Sequence, residues 1–477
     1  MQERLREKVA VVGGGIAGAL TSELLWRKGY QVTLFEKSNR LGGCSGSFVR
    51  NGFTFNTGAT TIAGLKDDFP VSEILSNFKI DKNIKIVDPS IIIHTPRGIV
   101  RRFSCLSDTV DEIDRVFPHR GNYDFWKKVY DVTYSVLTHS YYHNFSSWRN
   151  SVKSLLNMKS LILKHFKSFL IPAEKGLREF FPQIERDYYD FMDAHVKIVA
   201  QSSIAEVNFL TMLLSLGYPF TGVGYPREGM GKIFEEIVKN PNCLLNSEVK
   251  SIKRKNSGFI LKGDFGEEEF KKVVISMPVF ENLNIMEDDN IRDYIKRYLK
   301  LNSDNSAIVL YGVIINFSPD YNFHLRIIRE PLPYTSSRYL FFSFNEVKKE
   351  NSQYTTFTVS THTRVPYWIN TERHLYDIKK EKLREMILNI MKDTFGLKTE
   401  QVVQSFMATP ETFFRYLGRR SVGGIPVTRK APFWKIPSNF SPFENLYFAG
   451  DSFFCYQGWI GVSMGVRNIL ENLDEKV

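Results

Sequence analysis

The sequence predicts an α/β protein with two domains. One is a parallel sheet with flanking helices, assembled from separate stretches of chain, and the other is a mixed sheet with helices. Three observations predict this class. A glycine-rich turn follows an apolar run near the N-terminus, a second apolar run ends in Gly450-Asp451, and strand-like and helix-like segments alternate between them. At 477 residues, the chain also exceeds one ordinary hydrophobic core.

The N-terminal motif predicts a dinucleotide-binding, Rossmann-like fold. Apolar residues 9–12 lead into Gly13-Gly-Gly15-Ile-Ala-Gly18. Gly13 permits a tight turn, Gly15 lets the backbone approach a pyrophosphate, and Gly18 lets the following helix pack closely on the strand. Glu36 follows about 20 residues later, where a carboxylate accepts hydrogen bonds from ribose hydroxyls.

The next elements complete a strand–helix–strand unit. The predicted helix covers residues 16–28 and ends at Gly29, and the second strand covers residues 32–35. The first backbone N–H groups of such a helix have no hydrogen-bond partner within the helix. Together with the positive end of the helix dipole, they form a favourable binding site for phosphate oxygens.

The pattern divides the chain into five segments. Residues 1–65, 222–290 and 406–477 are predicted to form the dinucleotide-binding domain. Residues 66–221, expected to be mostly helical, and residues 291–405 are predicted to form the substrate domain.

Hydrophobic periodicity predicts the remaining elements. Predicted strands cover residues 244–252, 258–261, 273–277, 307–317, 339–344 and 355–361. Predicted helices cover residues 232–239, 374–395 and 461–473.

The C-terminal block is the second strong signal. Residues 446–449 predict a strand that ends at Gly450-Asp451, and residues 458–461 open a helix. The N-terminus of that helix favours negative charge on a bound group. Asp451 is placed to hold a hydroxyl of a bound cofactor.

The composition indicates a folded globular protein and argues against a nucleic-acid-binding one. Hydrophobic residues make up 43% of the chain and charged residues 24%, which is typical of a folded globular protein. The net charge of +11 is spread out and no nucleic-acid motif occurs, so we expect no nucleic-acid partner and favour an anionic membrane surface. Aromatic residues, at 14%, suit a wide apolar cavity.

The cysteines and the N-terminus exclude further classes. Cys44, Cys105, Cys243 and Cys455 are scattered, which excludes a disulfide scaffold and fits a reducing compartment. No metal-ligand spacing occurs, so we expect no metal. Glycines interrupt the apolar run behind the charged N-terminus, so no signal peptide is predicted, and no run of about 18 apolar residues predicts a membrane span.

Five blocks of sequence resemble the FAD-dependent carotenoid desaturase and isomerase family, which also includes retinol saturase and, more distantly, the amine oxidases. The blocks are residues 11–18, 36–46, 52–60, 225–230 and 449–458. Residues 58–64 and 359–363 most resemble the carotenoid isomerases and the related desaturases of photosynthetic bacteria. The resemblance implies FAD as cofactor and a two-domain architecture like that of glutathione reductase and the amine oxidases.

The resemblance also implies which residues bind FAD. Those for the diphosphate and adenosine are Gly13, Gly15, Ile16, Ala17, Gly18, Glu36, Lys37 and Val249. Those for the diphosphate and ribityl chain are Arg40, Gly42, Gly43, Cys44, Gly450 and Asp451. Those near the flavin ring are Gly58, Ala59, Thr60, Gly458, Trp459 and Ile460.

Two positions depart from the family pattern. The family usually has Pro and Gly where this chain has Cys455-Tyr456, and often a small residue where it has Trp459. A tryptophan beside the flavin would narrow the approach of a substrate. These positions therefore bear on the substrate and not on FAD.

Residues 148–171 predict a helix that contacts a membrane. Five Lys or Arg and no acid occur between residues 148 and 173. On a helical wheel, the polar face comprises Lys153, Asn157, Ser160, Lys164 and Lys167, and the opposite face comprises Leu155, Met158, Ile162, Phe166 and Phe169. This pattern is typical of a helix in a membrane interface. The alternative is an ordinary helix of the substrate domain with a solvated basic face.

Candidate catalytic residues are few. His362 ends an alternating strand. Arg415 and the Arg419-Arg420 pair precede a loop, residues 421–424, that the family would place near the flavin, and Arg420 is the candidate taken from them. A structural role for His362 and a surface role for Arg420 are the alternatives. No nucleophile elbow occurs.

The resemblance implies action on a long apolar, carotenoid-like polyene. Hydride would leave an allylic carbon for the flavin, or reduced flavin would assist cis–trans isomerisation. A flavin amine oxidase, a polyene saturase and a non-catalytic lipid escort on the same fold are the alternatives. We expect a cytoplasmic protein, peripheral on the inner face of the membrane.

Overall fold

The computed structural model describes residues 7–78, 80, 83–139, 141–349, 352–454 and 457–473. Two sequence expectations therefore fall outside the described residues: the departure at Cys455-Tyr456, and the first six residues of the charged N-terminus.

The strands and helices are numbered here in chain order. The strands are β1 (Lys8–Val12), β2 (Gln31–Phe35), β3 (Ser47–Arg50), β4 (Phe53–Asn56), β5 (Ile62–Ala63), β6 (Ile84–Val87), β7 (Ile91–Thr95), β8 (Gly98–Arg102), β9 (Val223–Pro226), β10 (Asn242–Leu244), β11 (Val249–Lys255), β12 (Gly258–Gly263), β13 (Gly266–Phe270), β14 (Lys272–Ile275), β15 (Asn305–Ile315), β16 (Phe323–Ile327), β17 (Tyr339–Lys349), β18 (Ser352–Arg364), β19 (Val402–Ala408) and β20 (Leu446–Phe448). The helices are α1 (Ile16–Arg27), α2 (Pro70–Ser76), α3 (Leu106–Val116), α4 (Asn122–Leu137), α5 (Trp148–Leu170), α6 (Ala173–Arg178), α7 (Arg186–Ala200), α8 (Phe209–Leu216), α9 (Lys232–Ile237), α10 (Asp289–Lys296), α11 (Arg373–Phe395), α12 (Pro410–Leu417) and α13 (Gly458–Asn472).

A five-stranded parallel sheet has the order β10-β2-β1-β14-β20. Its central strand β1 is apolar and buried on both faces, as parallel sheets covered by helices require. Helices α1 and α13 pack against each other beside this sheet. The strands come from the three segments assigned to the dinucleotide domain, whose boundaries remain a prediction.

A seven-stranded mixed sheet has the order β19-β15-β18-β17-β16-β7-β8. Successive side chains on each of its strands point to opposite faces of the sheet, and the two faces have different surroundings. On β17, Leu340 and Phe342 pack in one cluster with Leu383 and Ile387 of α11. Tyr339 and Phe341 point to the other side, where they line a cavity. This sheet is thus one wall of the candidate site.

Several predicted elements are confirmed, and one predicted strand is wrong. The predicted helices at residues 16–28 and 374–395 appear as α1 and α11, and the predicted buried strand at residues 273–277 appears as β14. Residues 66–221 are mostly helical, as predicted, but they also contain β6, β7 and β8, of which β7 and β8 extend the mixed sheet. Residues 244–252 are not one strand: β10 joins the parallel sheet and β11 begins a separate antiparallel sheet.

The predicted boundary at residue 406 falls inside β19, which pairs with β15 of the mixed sheet. A domain boundary at residue 406 would cut β19 and separate half of it from the hydrogen bonds that join it to β15. None of the helices in the described part of the chain has the length and apolar character needed to cross a membrane.

Candidate active site

A cleft of about 180 Å³ opens at the carboxyl ends of the parallel strands. It lies where chain connections diverge to either side of β1, the position at which open α/β sheets bind ligands. Its walls come from the turn after β1, the end of β2, the loop after β14 and the residues after β20. The fold therefore brings the two glycine-containing motifs to one cleft.

Glycine is needed in the first turn for a different physical reason at each position. Gly13 has φ of +104°, which favours glycine, and a Cβ on Gly18 would lie 1.8 Å from the carbonyl oxygen of Gly13. The predicted tight turn and close helix packing are thus confirmed. A Cβ on Gly15 would meet nothing within 4 Å, so Gly15 faces open space in the cleft.

Glu36 lies at the end of β2 and lines the cleft. Its Oε2 accepts a hydrogen bond from the backbone N–H of Gly14 at 2.7 Å, and its Oε1 accepts one from Ser38 at 2.8 Å. Each carboxylate oxygen keeps a second lone pair for a ligand hydroxyl. The acid thus joins the turn to the second strand.

Most residues that the sequence assigns to the diphosphate, adenosine and ribityl chain line the cleft. These are Gly13, Gly15, Ile16, Ala17, Glu36, Lys37, Gly42, Gly43, Cys44, Val249, Gly450 and Asp451. Gly18 lies beneath the turn as a packing residue. Arg40 is exposed and does not line the cleft or the cavity described next, so its assignment stays a prediction.

A larger cavity of about 430 Å³ lies between this cleft, the mixed sheet and the helices α7 and α8. Aliphatic and aromatic side chains provide most of its wall, among them Leu137, Leu214, Val309, Phe341 and Ile425. Gly58, Ala59, Thr60, Gly458, Trp459 and Ile460 line this cavity and not the cleft.

The cleft and the cavity share one wall, which we call the junction. It comprises the residues that line both: Ile16, Cys44, Ser45, Leu417, Arg419, Asp451 and Val462. At the junction, Nη1 of Arg419 donates a hydrogen bond to Oδ2 of Asp451 at 2.8 Å. Burial is the largest influence on the Cys44 thiol and raises its pKa, so the thiol stays protonated.

Buried polar atoms without hydrogen-bond partners cluster beside the junction. They are Oγ of Ser45, both amide ends of Gln457, and Nε1 of Trp459. All three residues line the larger cavity. Unsatisfied buried donors and acceptors are costly, so these atoms fit a ligand whose edge carries nitrogen and oxygen. A flavin ring has such an edge.

His362 is fully buried and lines the cavity. Its Nδ1 bonds to the hydroxyl of Tyr339 and its Nε2 to Oε1 of Gln201. The Gln201 amide is fixed because its Nε2 donates to the carbonyl of Ile198 at 2.9 Å. His362 therefore carries its proton on Nε2 and accepts from Tyr339. Burial, the largest cause, lowers the pKa of His362 to about 3, so the ring is neutral.

Of the neighbouring residues Arg419 and Arg420, only Arg419 lines the candidate site, whereas the sequence favoured Arg420. The Arg420 guanidinium bonds to Glu411 at 2.7 Å, lies over the ring of Phe414, and lines neither the cleft nor the cavity. Arg419, the other member of the pair that the sequence places before the loop at residues 421–424, is the buried arginine at the junction. Adjacent residues point in different directions, and no sequence signal separates Arg419 from Arg420.

Helix α5 presents an unusual outer face. Its inward side consists of Ser154, Met158, Leu161, His165 and Ser168. The large apolar side chains exposed on it are Trp148, Val152, Leu155, Leu156, Leu163, Phe166 and Leu170. The predicted basic residues are exposed, but Met158 of the predicted apolar face is buried. The exposed apolar face is thus rotated from the one predicted.

Comparisons with known proteins agree with this architecture. Residues 11–78 match the NAD(P)-binding Rossmann-like domain family. Prolycopene isomerase 2, chloroplastic, from an Oncidium hybrid cultivar is 28% identical over 498 residues, which cover 95% of this chain and 81% of that protein. The 4,4'-diapophytoene desaturase of Staphylococcus aureus (strain COL) is 40% identical over 55 residues, 12% of this chain and 11% of that protein.

A solved structure extends the comparison to the whole fold. A single-substitution variant of putrescine oxidase, from a redesign of its cofactor binding, superposes with a TM-score of 0.64 at 12% identity, covering 98% of each chain. At this identity the likeness concerns the fold alone, and it confirms the predicted amine-oxidase-like architecture. The two sequence relatives confirm the predicted resemblance to the carotenoid desaturase and isomerase family.

Proposed function

We propose that this chain, which resembles the carotenoid desaturases and isomerases, is an FAD-dependent oxidoreductase or isomerase of a long apolar polyene. The observation that carries the proposal is the junction, where the dinucleotide cleft meets a largely apolar cavity. A flavin at this wall would contact both its own binding cleft and a substrate. The named relatives act on, or form, carotenoids, which supports the substrate class.

FAD fits the residues of this chain better than a nicotinamide cofactor alone. The cleft supplies a glycine turn for a diphosphate and Glu36 for a ribose, and Asp451 lies at its other end. The unpartnered atoms of Ser45, Gln457 and Trp459 lie beside the junction, where the flavin ring would lie. Bound FAD would supply hydride transfer or, when reduced, stabilise charge on the polyene.

The cavity suits an uncharged substrate. The charged residues in its lining are Arg419 and Asp451, which are paired with each other, and its two histidines, His195 and His362, are neutral. An alkylammonium substrate would find no free carboxylate there. This argues against the amine oxidase alternative, in spite of the shared fold.

The chain's own residues bind and orient the polyene and exclude water. Apolar side chains of the cavity wall hold the polyene, and the mixed sheet supplies a rigid floor. His362 is held by two partners and is neutral, so it shapes the cavity and does not act as a ready base. The saturase alternative differs only in the direction of electron flow. A lipid escort would have no need of the cofactor cleft.

The exposed apolar face of α5 supports peripheral attachment to the inner face of an anionic membrane. Seven large apolar side chains point outward, while Arg149, Lys153, Lys159, Lys164 and Lys167 supply positive charge without an acid on the helix. A helix in a membrane interface is held there by burial of its apolar side chains and by attraction of its basic side chains to anionic headgroups. An apolar substrate dissolved in the bilayer would be accessible from this location.

The decisive experiment is anaerobic visible spectroscopy of the FAD-loaded protein with liposomes that carry prolycopene or 4,4'-diapophytoene. Bleaching of the flavin together with a shift of the polyene bands would establish oxidation. A polyene shift that occurs only after the flavin has been reduced with dithionite, and that leaves the flavin reduced, would indicate isomerisation, which chromatography of the products would verify. A protein that fails to bind added FAD would contradict the proposal and favour the escort.

A further inference from the structure

A largely buried ion pair occupies the junction, and the function proposed so far gives its arginine no role toward the cofactor. The Arg419 side chain is 9% exposed and that of Asp451 is 22% exposed. Besides the bond to Asp451, Nε of Arg419 donates to the carbonyl oxygen of Ser421 at 2.7 Å. The guanidinium is therefore fixed in both position and orientation.

The neighbouring charges are predominantly negative. Glu281 accepts hydrogen bonds from the backbone N–H and the hydroxyl of Ser421, both at 3.0 Å. Burial alone would lower the pKa of Arg419, but the carboxylates of Asp451 and Glu281 raise it above its usual value. Arg419 is thus a permanent cation that balances carboxylates at the wall between the cleft and the cavity.

The location of this cation has an electrostatic consequence. A buried ion pair is a weak source of stability, because desolvation offsets its attraction. A fixed charge in a site shielded from water acts strongly on charge that develops nearby. A flavin gains negative charge when it is reduced, and the flavin ring must lie at the junction if it is to contact both the cleft and the cavity.

We propose that Arg419 tunes the flavin electrostatically, by favouring the negative charge that the ring gains on reduction. This inference rests on the proposed binding of FAD. Loss of the guanidinium would leave Asp451 and Glu281 uncompensated, so the local charge would become more negative and reduction would be disfavoured. Lysine at the same position would keep the charge.

The test uses FAD-saturated full-length protein and two readouts that need no polyene. They are the affinity of the flavin for sulfite, read from bleaching of its absorbance, and its reduction potential against a reference dye. For Arg419→Gln we expect sulfite affinity to fall by about tenfold or more and the potential to shift downward. Arg419→Lys should stay near wild type. The matched control is Arg420→Gln, which removes the neighbouring arginine that faces Glu411.

A second variant tests the sign of the effect. Asp451→Asn removes a negative charge from the same pair, so at saturating FAD it should raise sulfite affinity and potential. This variant and Arg419→Lys decide the matter if Arg419→Gln does not fold. Opposite shifts in the two charge-changing variants would support the inference. The inference would be overturned if the sulfite affinity and potential of Arg419→Gln and Asp451→Asn equalled those of Arg420→Gln. It would also be overturned if the two variants shifted these quantities in the same direction.

Failure of this inference is distinguishable from failure of the proposed function. If wild-type protein binds no FAD, the proposed function itself fails. If it binds FAD and converts a polyene while sulfite affinity ignores Arg419, only the electrostatic role is wrong.

Discussion

Glu36 reaches back to the glycine turn: its Oε2 accepts a hydrogen bond from the backbone N–H of Gly14 at 2.7 Å. The carboxylate therefore has two tasks. It pairs a buried backbone N–H of the apoprotein, and under the proposed function its remaining lone pairs would accept hydrogen bonds from a ribose. A variant at this position should separate the two tasks.

The first prediction concerns Glu36→Ala and Glu36→Gln. The alanine variant leaves the Gly14 N–H without its partner, so we expect a loss of about 1–3 kcal/mol of stability and a lower affinity for FAD. Glutamine keeps one acceptor oxygen for the Gly14 N–H but turns an amide NH2 toward the Ser38 N–H, so stability should be partly restored while FAD affinity stays reduced. Urea unfolding of the apoprotein and FAD titration measure the two effects. Full FAD affinity in the alanine variant would show that Glu36 does not hold the ribose.

The second prediction contrasts two alanine substitutions in one motif. A Cβ at position 15 meets no atom within 4 Å, so Gly15→Ala should fold with nearly unchanged stability but lose FAD, because the methyl group occupies the space of the phosphates. A Cβ at position 18 would clash with the Gly13 carbonyl at 1.8 Å, so Gly18→Ala should be strongly destabilised. Thermal unfolding of both apoproteins and FAD titration decide. Normal FAD binding by Gly15→Ala would remove the phosphates from this turn.

The elements with strong local signals were predictable from sequence. The glycine motif specifies β1, the turn and α1 through backbone constraints that act within a few residues. Strands β7 and β8 were missed although residues 91–95 are mostly β-branched and Pro96 and Gly98 suit a turn. Their place beside β16 depends on a partner more than 200 residues away in the chain, which no local pattern reveals.

The candidate site was predictable where motifs supply it and not where side-chain direction decides. The residues of the cleft lie in contiguous motifs, and most of them line it. Whether Arg419 or Arg420 faces the junction depends on the turn after α12, where Glu281 holds the backbone N–H of Arg420. The rotation of α5 likewise depends on which of its faces meets α8 and α4, and its inward face is partly polar.

The third prediction concerns pH. Burial, the largest cause in each case, lowers the pKa of His143, His195 and His362 to about 3, whereas unfolded histidine titrates near 6.5. Between these values the unfolded chain binds more protons than the native protein, so stability falls as the pH drops below about 6.5. Each buried histidine contributes a slope of about 1.4 kcal/mol per pH unit.

His362→Gln isolates one of these contributions. Between about pH 6.5 and about pH 5.5, its free energy of unfolding should fall by about 1 kcal/mol less than that of wild type, because half of the unfolded histidine is already protonated at about pH 6.5. Urea unfolding at about pH 6.5 and at about pH 5.5 measures the slope independently of any constant loss of stability from the broken contacts to Gln201 and Tyr339. Equal slopes in the two proteins would mean that His362 is charged in the folded state.

The fourth prediction concerns attachment to membranes through α5. Leu163 and Phe166 are 67% and 56% exposed, so Leu163→Glu with Phe166→Glu should leave the fold intact. Replacing two inserted apolar groups by carboxylates should weaken binding to phosphatidylglycerol-containing vesicles by about tenfold or more. Ile378→Glu is the matched control, because Ile378 is 60% exposed on α11 and carries no part of the α5 face. Co-sedimentation measures all three proteins. If the double variant and the control bind vesicles alike, α5 is an ordinary solvated helix, and the apolar substrate must reach the cavity by another route.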